Sequence, residues 1–363
     1  MSILFMQAED VLLFRDGRPF SAGSDHEARS LFPPPPSVMQ GILRSHYLAH
    51  KNIPLDHSPQ AEAMISELVG DSATPRGLRL RGPFLARREA NRIMRYFPTP
   101  ADAYPGDQDA RQIVPMKVVE NPGRCVWKKE TLPCLLEKPN EVITKNAPGA
   151  FLSEDALKSY LEQGRAVTPV KAADLFVTER RLGIQTDSQR MSTVEGMLYE
   201  VEFVRLREDA GLVVELVEGY PDFPPQGVMR AGGEGRALRY VTLKDGEVAP
   251  LSWGHTGELP PFFKVYFATP AFFSQGWKPA SWDSFFTGKV KLEAVALSRY
   301  QTLGGFDLLK KVQKPARRYI PAGSVYYFSH TGGVQLSQQA ITEDGAALGF
   351  GQVMIASWKP ESA

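Results

Sequence analysis

Twice along this chain a cluster of glycines runs straight into an alternating apolar segment, and this repeated grammar limits the fold more than any other feature. Gly232-Gly233-Glu234-Gly235 leads into Arg236 to Leu243, and Gly345 to Gly351 leads into Val353 to Trp358. Alternation of period two reads as a strand, and the glycines before it as a tight turn. Each is preceded by a strand that starts at a glycine, Gly196-Met-Leu-Tyr199 in one case and Gly323-Ser-Val-Tyr326 in the other. Ile3 to Phe14 and Phe262 to Phe273 are the matching opening strands, each ending in a turn-rich loop. The pattern predicts two copies of one α+β unit, split near Pro250 to Pro261, each an antiparallel sheet with helices on one face.

A length of 363 residues agrees with two domains. With 31 glycines and 29 prolines the chain is rich in turns, which excludes a helical bundle. Between the opening strand and the rest, Pro33 to Pro36 precede Ser37 and Gln40, a capping-box spacing. Val38, Met39, Ile42, Leu43 and Tyr47 then recur at helical intervals. Residues 50 to 185 carry weaker periodicity and are harder to read. Within them Arg76 to Arg95 holds seven arginines, interleaved with Leu78, Leu80, Phe84 and Leu85. Gly196 to Leu206 and Gly211 to Val217 read as two strands joined by a short charged turn.

Several function classes drop out. The glycine loops precede strands, whereas a dinucleotide fingerprint needs a strand before and a helix after. Gly288-Lys289 is followed by Val290, so there is no phosphate-binding P-loop. Two cysteines, Cys125 and Cys134, make neither a disulfide framework nor a four-ligand zinc site, and are read as plain thiols. His46 and His50 have metal-ligand spacing, but no glutamate follows His46; both sit near a helix C-terminus, where positive charge is favourable anyway. No metal and no cofactor is expected. The N-terminus reads as a strand rather than a signal peptide, and no apolar run reaches 18 residues, so the expectation is a cytoplasmic protein with no membrane partner.

Basic and acidic residues nearly cancel, 42 against 41, so any polyanion must be held by local patches. The patches are the loop after the first strand with Arg18, His26 and Arg29; the first glycine loop, Gly232 and Gly233 between Arg230 and Arg236; and the second, Gly349 and Gly351. A fourth is Lys310, Lys311, Lys314, Arg317 and Arg318, beside Tyr319. Basic side chains with aromatics and glycines suit single-stranded RNA, which needs phosphate neutralisation and stacking platforms. For each patch a plainer reading stands beside this one: a turn that needs positive φ, or a solvated charged face. The first-strand loop and the glycine loop are expected to meet in one groove. His26 is also the best single candidate for a general acid, although no acid–base pair accompanies it.

Phe14 to Phe20, Arg29 to Pro36, Arg180 to Ile184, Gly196 to Tyr199, Gly232 to Glu234 and Pro321 to Tyr327 occur in that order, joined by Thr269-Pro270 and Gly276-Trp277. The ordered set resembles the third subunit of the Cmr (type III-B CRISPR) effector complex, in the RAMP superfamily, over nearly the whole chain. The resemblance implies two ferredoxin-like (RRM-like) domains, residues 1–250 with the insertion at about 50–185, and 251–363. It implies a non-catalytic subunit that grips the 5′ tag of the CRISPR RNA and docks a large polymerase-like subunit and a backbone RAMP subunit, meeting target RNA only indirectly. A guide-processing endoribonuclease of the same superfamily is the alternative, with His26 as its acid or base.

Overall fold

The computed structural model describes residues 1–15, 27–54, 58–70, 76–90, 92–106, 111–121, 123, 131–139, 149–187, 192–249, 251, 254–307 and 312–360. The chain is strand-rich α+β with antiparallel sheets and few helices, and it divides into two compact units. The first comprises Met1–Ile93, Ala173–Glu247 and Thr302–Arg317; the second comprises Met94–Ala172, Val248–Gln301 and Arg318–Ala363.

In the first unit the strand Ser2–Ala8 lies at the centre. Ala210–Glu218 pairs with one edge and Ala237–Thr242 with the other; Arg79–Glu89 and Gln226–Arg230 extend the two sides. All these pairings are antiparallel, and Phe5 faces Val213 on one side and Val241 on the other. Leu4, Phe5 and Met6 are buried in succession, as a central strand covered on both faces requires. The helix Pro36–His50 covers the sheet with Met39, Ile42, Leu43 and Tyr47, against Arg79–Glu89 and Gln226–Arg230. A second sheet pairs Phe176–Asp187 with Ser192–Leu206, and Glu27–Ala28 runs parallel to the latter.

In the second unit Phe262–Phe267 is flanked by Val325–Ser329 and Val353–Ser357, with Lys291–Ala296 outside Val325–Ser329. Four neighbouring strands of the first, larger sheet (Arg79–Glu89, Ala210–Glu218, Ser2–Ala8 and Ala237–Thr242) and the four strands here, each set numbered along the chain, both run 2-3-1-4. One face of this sheet carries Phe263, Val265, Phe267, Tyr326 and Phe328 into an aromatic core. The alternate residues Lys264, Tyr266 and Tyr327 are also buried. There the Asp102 carboxylate accepts hydrogen bonds from Tyr160 (3.0 Å) and Tyr327. Burial and the facing Asp102 charge push both phenols well above their usual range, so they stay protonated donors.

The structure revises several expectations. The opening strand ends at Ala8 rather than Phe14: the chain bends at Glu9–Asp10 and continues into the second sheet, where Leu12 bridges Val204. Ser37 lies inside the helix, because Pro35 is the N-cap and the proline after it sets the first turn; no side chain caps this helix. Gly196 to Leu206 and Gly211 to Val217 do lie in consecutive strands, but these belong to different sheets. The supposed insertion contains a principal strand, Arg79–Glu89. Its arginines obscured the alternation, yet Arg81 and Arg79 meet Glu215 (3.5 Å) and Glu218 (3.7 Å) on the neighbouring strand. The second sheet does not get the helix that the repeat suggests after its first strand: residues 268–290, between its first two strands, contain none among those described. The helix packed near its last strand is Glu154–Gln163, from the middle of the chain. The first four-strand set lies within residues 2–242 and the second within 262–357, while the compact units interleave, with 94–172 in the second and 302–317 in the first.

Candidate nucleic-acid interface

The exit of the first strand and the first glycine loop come together. Gly232 to Gly235 form the tip of a hairpin between Gln226–Arg230 and Ala237–Thr242, closed by Ala231 N–H donating to Arg236 O at 2.7 Å. From that tip Gly233 N–H donates to Leu13 O at 2.8 Å. Gly232 has φ +73°, and a Cβ there would run into the same carbonyl. Only glycine allows this approach. The next residue, Phe14, accepts from Leu31 N–H at 2.8 Å, and Arg15 bridges Ser30. Segment 11–15 therefore holds the Arg29 segment and the glycine tip at one end of the first unit.

Most of the arginines at this end are neutralised. Arg29 binds Glu27 at 2.6 Å, and Arg239 binds Glu9 at 2.7 Å. Arg236 reaches Asp10 (3.2 Å) and Glu234 (3.4 Å), and its guanidinium lies over the Phe203 ring. Arg205 is held by Asp10 and Glu179; the same hydrogen bonds lower the Glu179 carboxyl and raise the Arg205 guanidinium. Arg230 is different. It is exposed at the end of its strand beside Gly235, and among the described residues no carboxylate pairs with it. Arg18 and His26 lie outside the described residues.

The second glycine loop repeats the geometry but is closed over. Thr269, just past the first strand of its unit, donates through Oγ1 to Gly349 O at 2.7 Å and accepts from Gln352 N–H at 2.9 Å. Gly351 N–H donates to Pro270 O at 2.8 Å, and a Cβ on Gly351 would sit 2.5 Å from Ile341 O. Gly349 and Gly351 are buried, so close packing of backbone accounts for both.

The fourth patch is a two-stranded ribbon, Gln301–Asp307 with Val312–Tyr319. Lys310 and Lys311 lie outside the described residues. Lys314 is half-buried over Gly305, and Arg317 is exposed. Arg318, also exposed, lies 4.7 Å over the ring of Tyr300. Tyr300 was missed by the sequence reading, as was the cleft it lines in the second unit with Trp277 and Arg299. The signal was an Arg-Tyr pair directly after an apolar strand, too short to stand out by periodicity.

His46 does not face a metal cluster. Its Nε2 lies 2.9 Å from the Tyr240 hydroxyl and its ring packs edge-on to Phe223; burial, then the nearby His50, lower its pKa. Among the described residues no group of three or more His, Cys, Asp or Glu is placed to hold a metal ion. Cys134 is a free thiol raised by burial, and Cys125 lies outside the described residues.

These features define a strand-rich α+β protein in which one sheet order is used twice and a glycine hairpin meets the exit of the first strand. The family model of the CRISPR-associated protein (Cas_Cmr3) matches residues 4–358, and the chain belongs to that family. Among solved structures it is similar to a chain of the type III-B Cmr-beta complex bound to cognate target RNA and AMPPnP. There the identity is 15%, the TM-score 0.48, and 90% of this chain and 86% of that one are covered. It is also similar to a chain of the Csm3–Csm4 subcomplex of the type III-A CRISPR-Cas interference complex, at 11% identity, TM-score 0.37, and coverage of 99% and 100%. No curated protein sequence matches it.

Proposed function

We propose that the chain is a non-catalytic CRISPR RNA-binding subunit of a type III-B (Cmr) effector complex. It holds the 5′ tag of the guide and docks the large polymerase-like subunit and a backbone RAMP subunit, in the cytoplasm. The shared 2-3-1-4 strand order is that of two ferredoxin-like domains, one on each side of residue 250. Membership of the family supports this reading, and one observation carries it: the glycine tip abuts Leu13 beside an arginine with free charge. The three glycines of the tip let a phosphate approach the backbone, and Arg230 beside Gly235 supplies charge there. The test is direct. Full-length protein incubated with repeat-containing RNA, with and without metal, leaves it intact and co-purifies with the other subunits. Metal-independent cleavage that disappears in His26→Ala would establish the processing-enzyme reading instead.

A further inference from the structure

A cleft of about 630 Å³ opens on the second unit, between the hairpin strand Cys134–Glu137, the end of the edge strand Lys291–Ala296, and the loop carrying Gly276 and Trp277. This volume falls in the range of small-molecule sites. Its walls are apolar, from Leu135, Val295 and Ile320, and among the described residues none that lines it is acidic. At its rim Tyr300 is 46% exposed, an unusual place for a large ring in a chain that buries most of its aromatics. Arg318 lies 4.7 Å and Arg299 6.0 Å from the Tyr300 ring centre. Among the described residues neither guanidinium is paired with a carboxylate, in contrast to Arg29, Arg205, Arg236 and Arg239 in the first unit. Two desolvatable, uncompensated cations at an aromatic, apolar cleft suit a ligand with one flat apolar face and one anionic group.

We propose that this cleft binds a nucleotide, its base against the Trp277 wall and its phosphate on Arg299 and Arg318, which the Tyr300 ring holds in place. Guanidinium groups bind phosphate through paired N–H donors, and aromatic walls accept any base through its π-face. The site extends the RNA-binding reading to a second location, and all its residues belong to the second unit. The nucleotide is either free or one unstacked residue of single-stranded RNA, and two probes separate these sources: AMP and a fluorescein-labelled pentaadenylate.

Cys134 lines the cleft and reports occupancy. With the full-length protein, alkylation of Cys134 by iodoacetamide is followed by peptide mass spectrometry, and pentaadenylate affinity by anisotropy. Protection of Cys134 by pentaadenylate but not AMP identifies an RNA subsite; protection by both, or by AMP alone, identifies a site for free nucleotides. In either case Arg299→Ala with Arg318→Ala weakens binding of the protecting probe about tenfold or more, and Tyr300→Ala does so with unchanged circular dichroism. Arg230→Ala leaves Cys134 protection as in wild type. Failure of both probes to protect Cys134 overturns the site. If pentaadenylate still binds and only Arg230→Ala weakens it, this proposal fails while the glycine-hairpin reading stands. If pentaadenylate does not bind and AMP gives no protection, both fail.

Discussion

Tyr220 carries a hydroxyl that the fold buries without a hydrogen-bond partner among the described residues, while its ring stacks on Tyr47 at 4.4 Å. Burial pushes its pKa from 10.0 up to about 12. Below pH 10 the group is protonated in folded and unfolded chains alike. As pH rises from 10 through 12 the unfolded chain ionises first, and stability falls by on the order of 2–3 kcal/mol. Tyr220→Phe keeps the stack and removes the orphan hydroxyl. It is expected to be as stable as wild type or up to about 1 kcal/mol more so at pH 8, and to lose less stability between pH 10 and 12. Urea titrations at the two pH values measure this; a variant losing as much as wild type across that window contradicts it. At Gly232 the opposite sign holds. Gly232→Ala places a methyl against Leu13 O at positive φ and should cost about 1–3 kcal/mol. An unchanged unfolding midpoint would mean that the hairpin tip does not seat on Leu13.

Elements with clean alternation were legible in the sequence. Ala237–Thr242 and Val353–Ser357 follow their glycines as strands, and the helix Pro36–His50 follows its prolines. Arg79–Glu89 was not legible, because arginine at exposed positions reads as a basic patch until the glutamates of a partner 130 or more residues away are seen. The same holds for the helix Glu154–Gln163. Its start is local, with Ser153 Oγ accepting from Ala156 N–H, but its anchor is distant. Glu154 meets Arg95 at 2.8 Å with both side chains fully buried. Glu154→Ala takes that buried carboxylate away from the guanidinium and is expected to cost about 3–5 kcal/mol. Arg95→Met combined with Glu154→Leu should recover much of it. A loss under about 1 kcal/mol for Glu154→Ala in chemical denaturation would show that the ion pair does not anchor the helix.

At the scale of the whole molecule, a net charge of only +1 leaves no broad field to attract RNA, so local, uncompensated cations must do so. The candidate groove was legible in part: the segment around Arg29 and the glycine loop both meet residues 11–15. Which arginines keep free charge was not, because neutralisation depends on Glu9, Asp10, Glu27 and Glu179, whose positions only the fold sets. The sequence names Arg230 as a candidate but puts Arg29 and Arg236 forward first; of the three, Arg230 is the one that no carboxylate pairs among the described residues. The most direct test is the salt dependence of binding to RNA carrying the guide 5′ tag, measured for wild type, Arg230→Ala and Arg236→Ala. The account predicts weaker binding and a log–log salt slope smaller by about one for Arg230→Ala, because one phosphate contact is lost. Arg236→Ala should keep the wild-type slope and lose stability instead. Affinity and slope unchanged in Arg230→Ala would contradict the account.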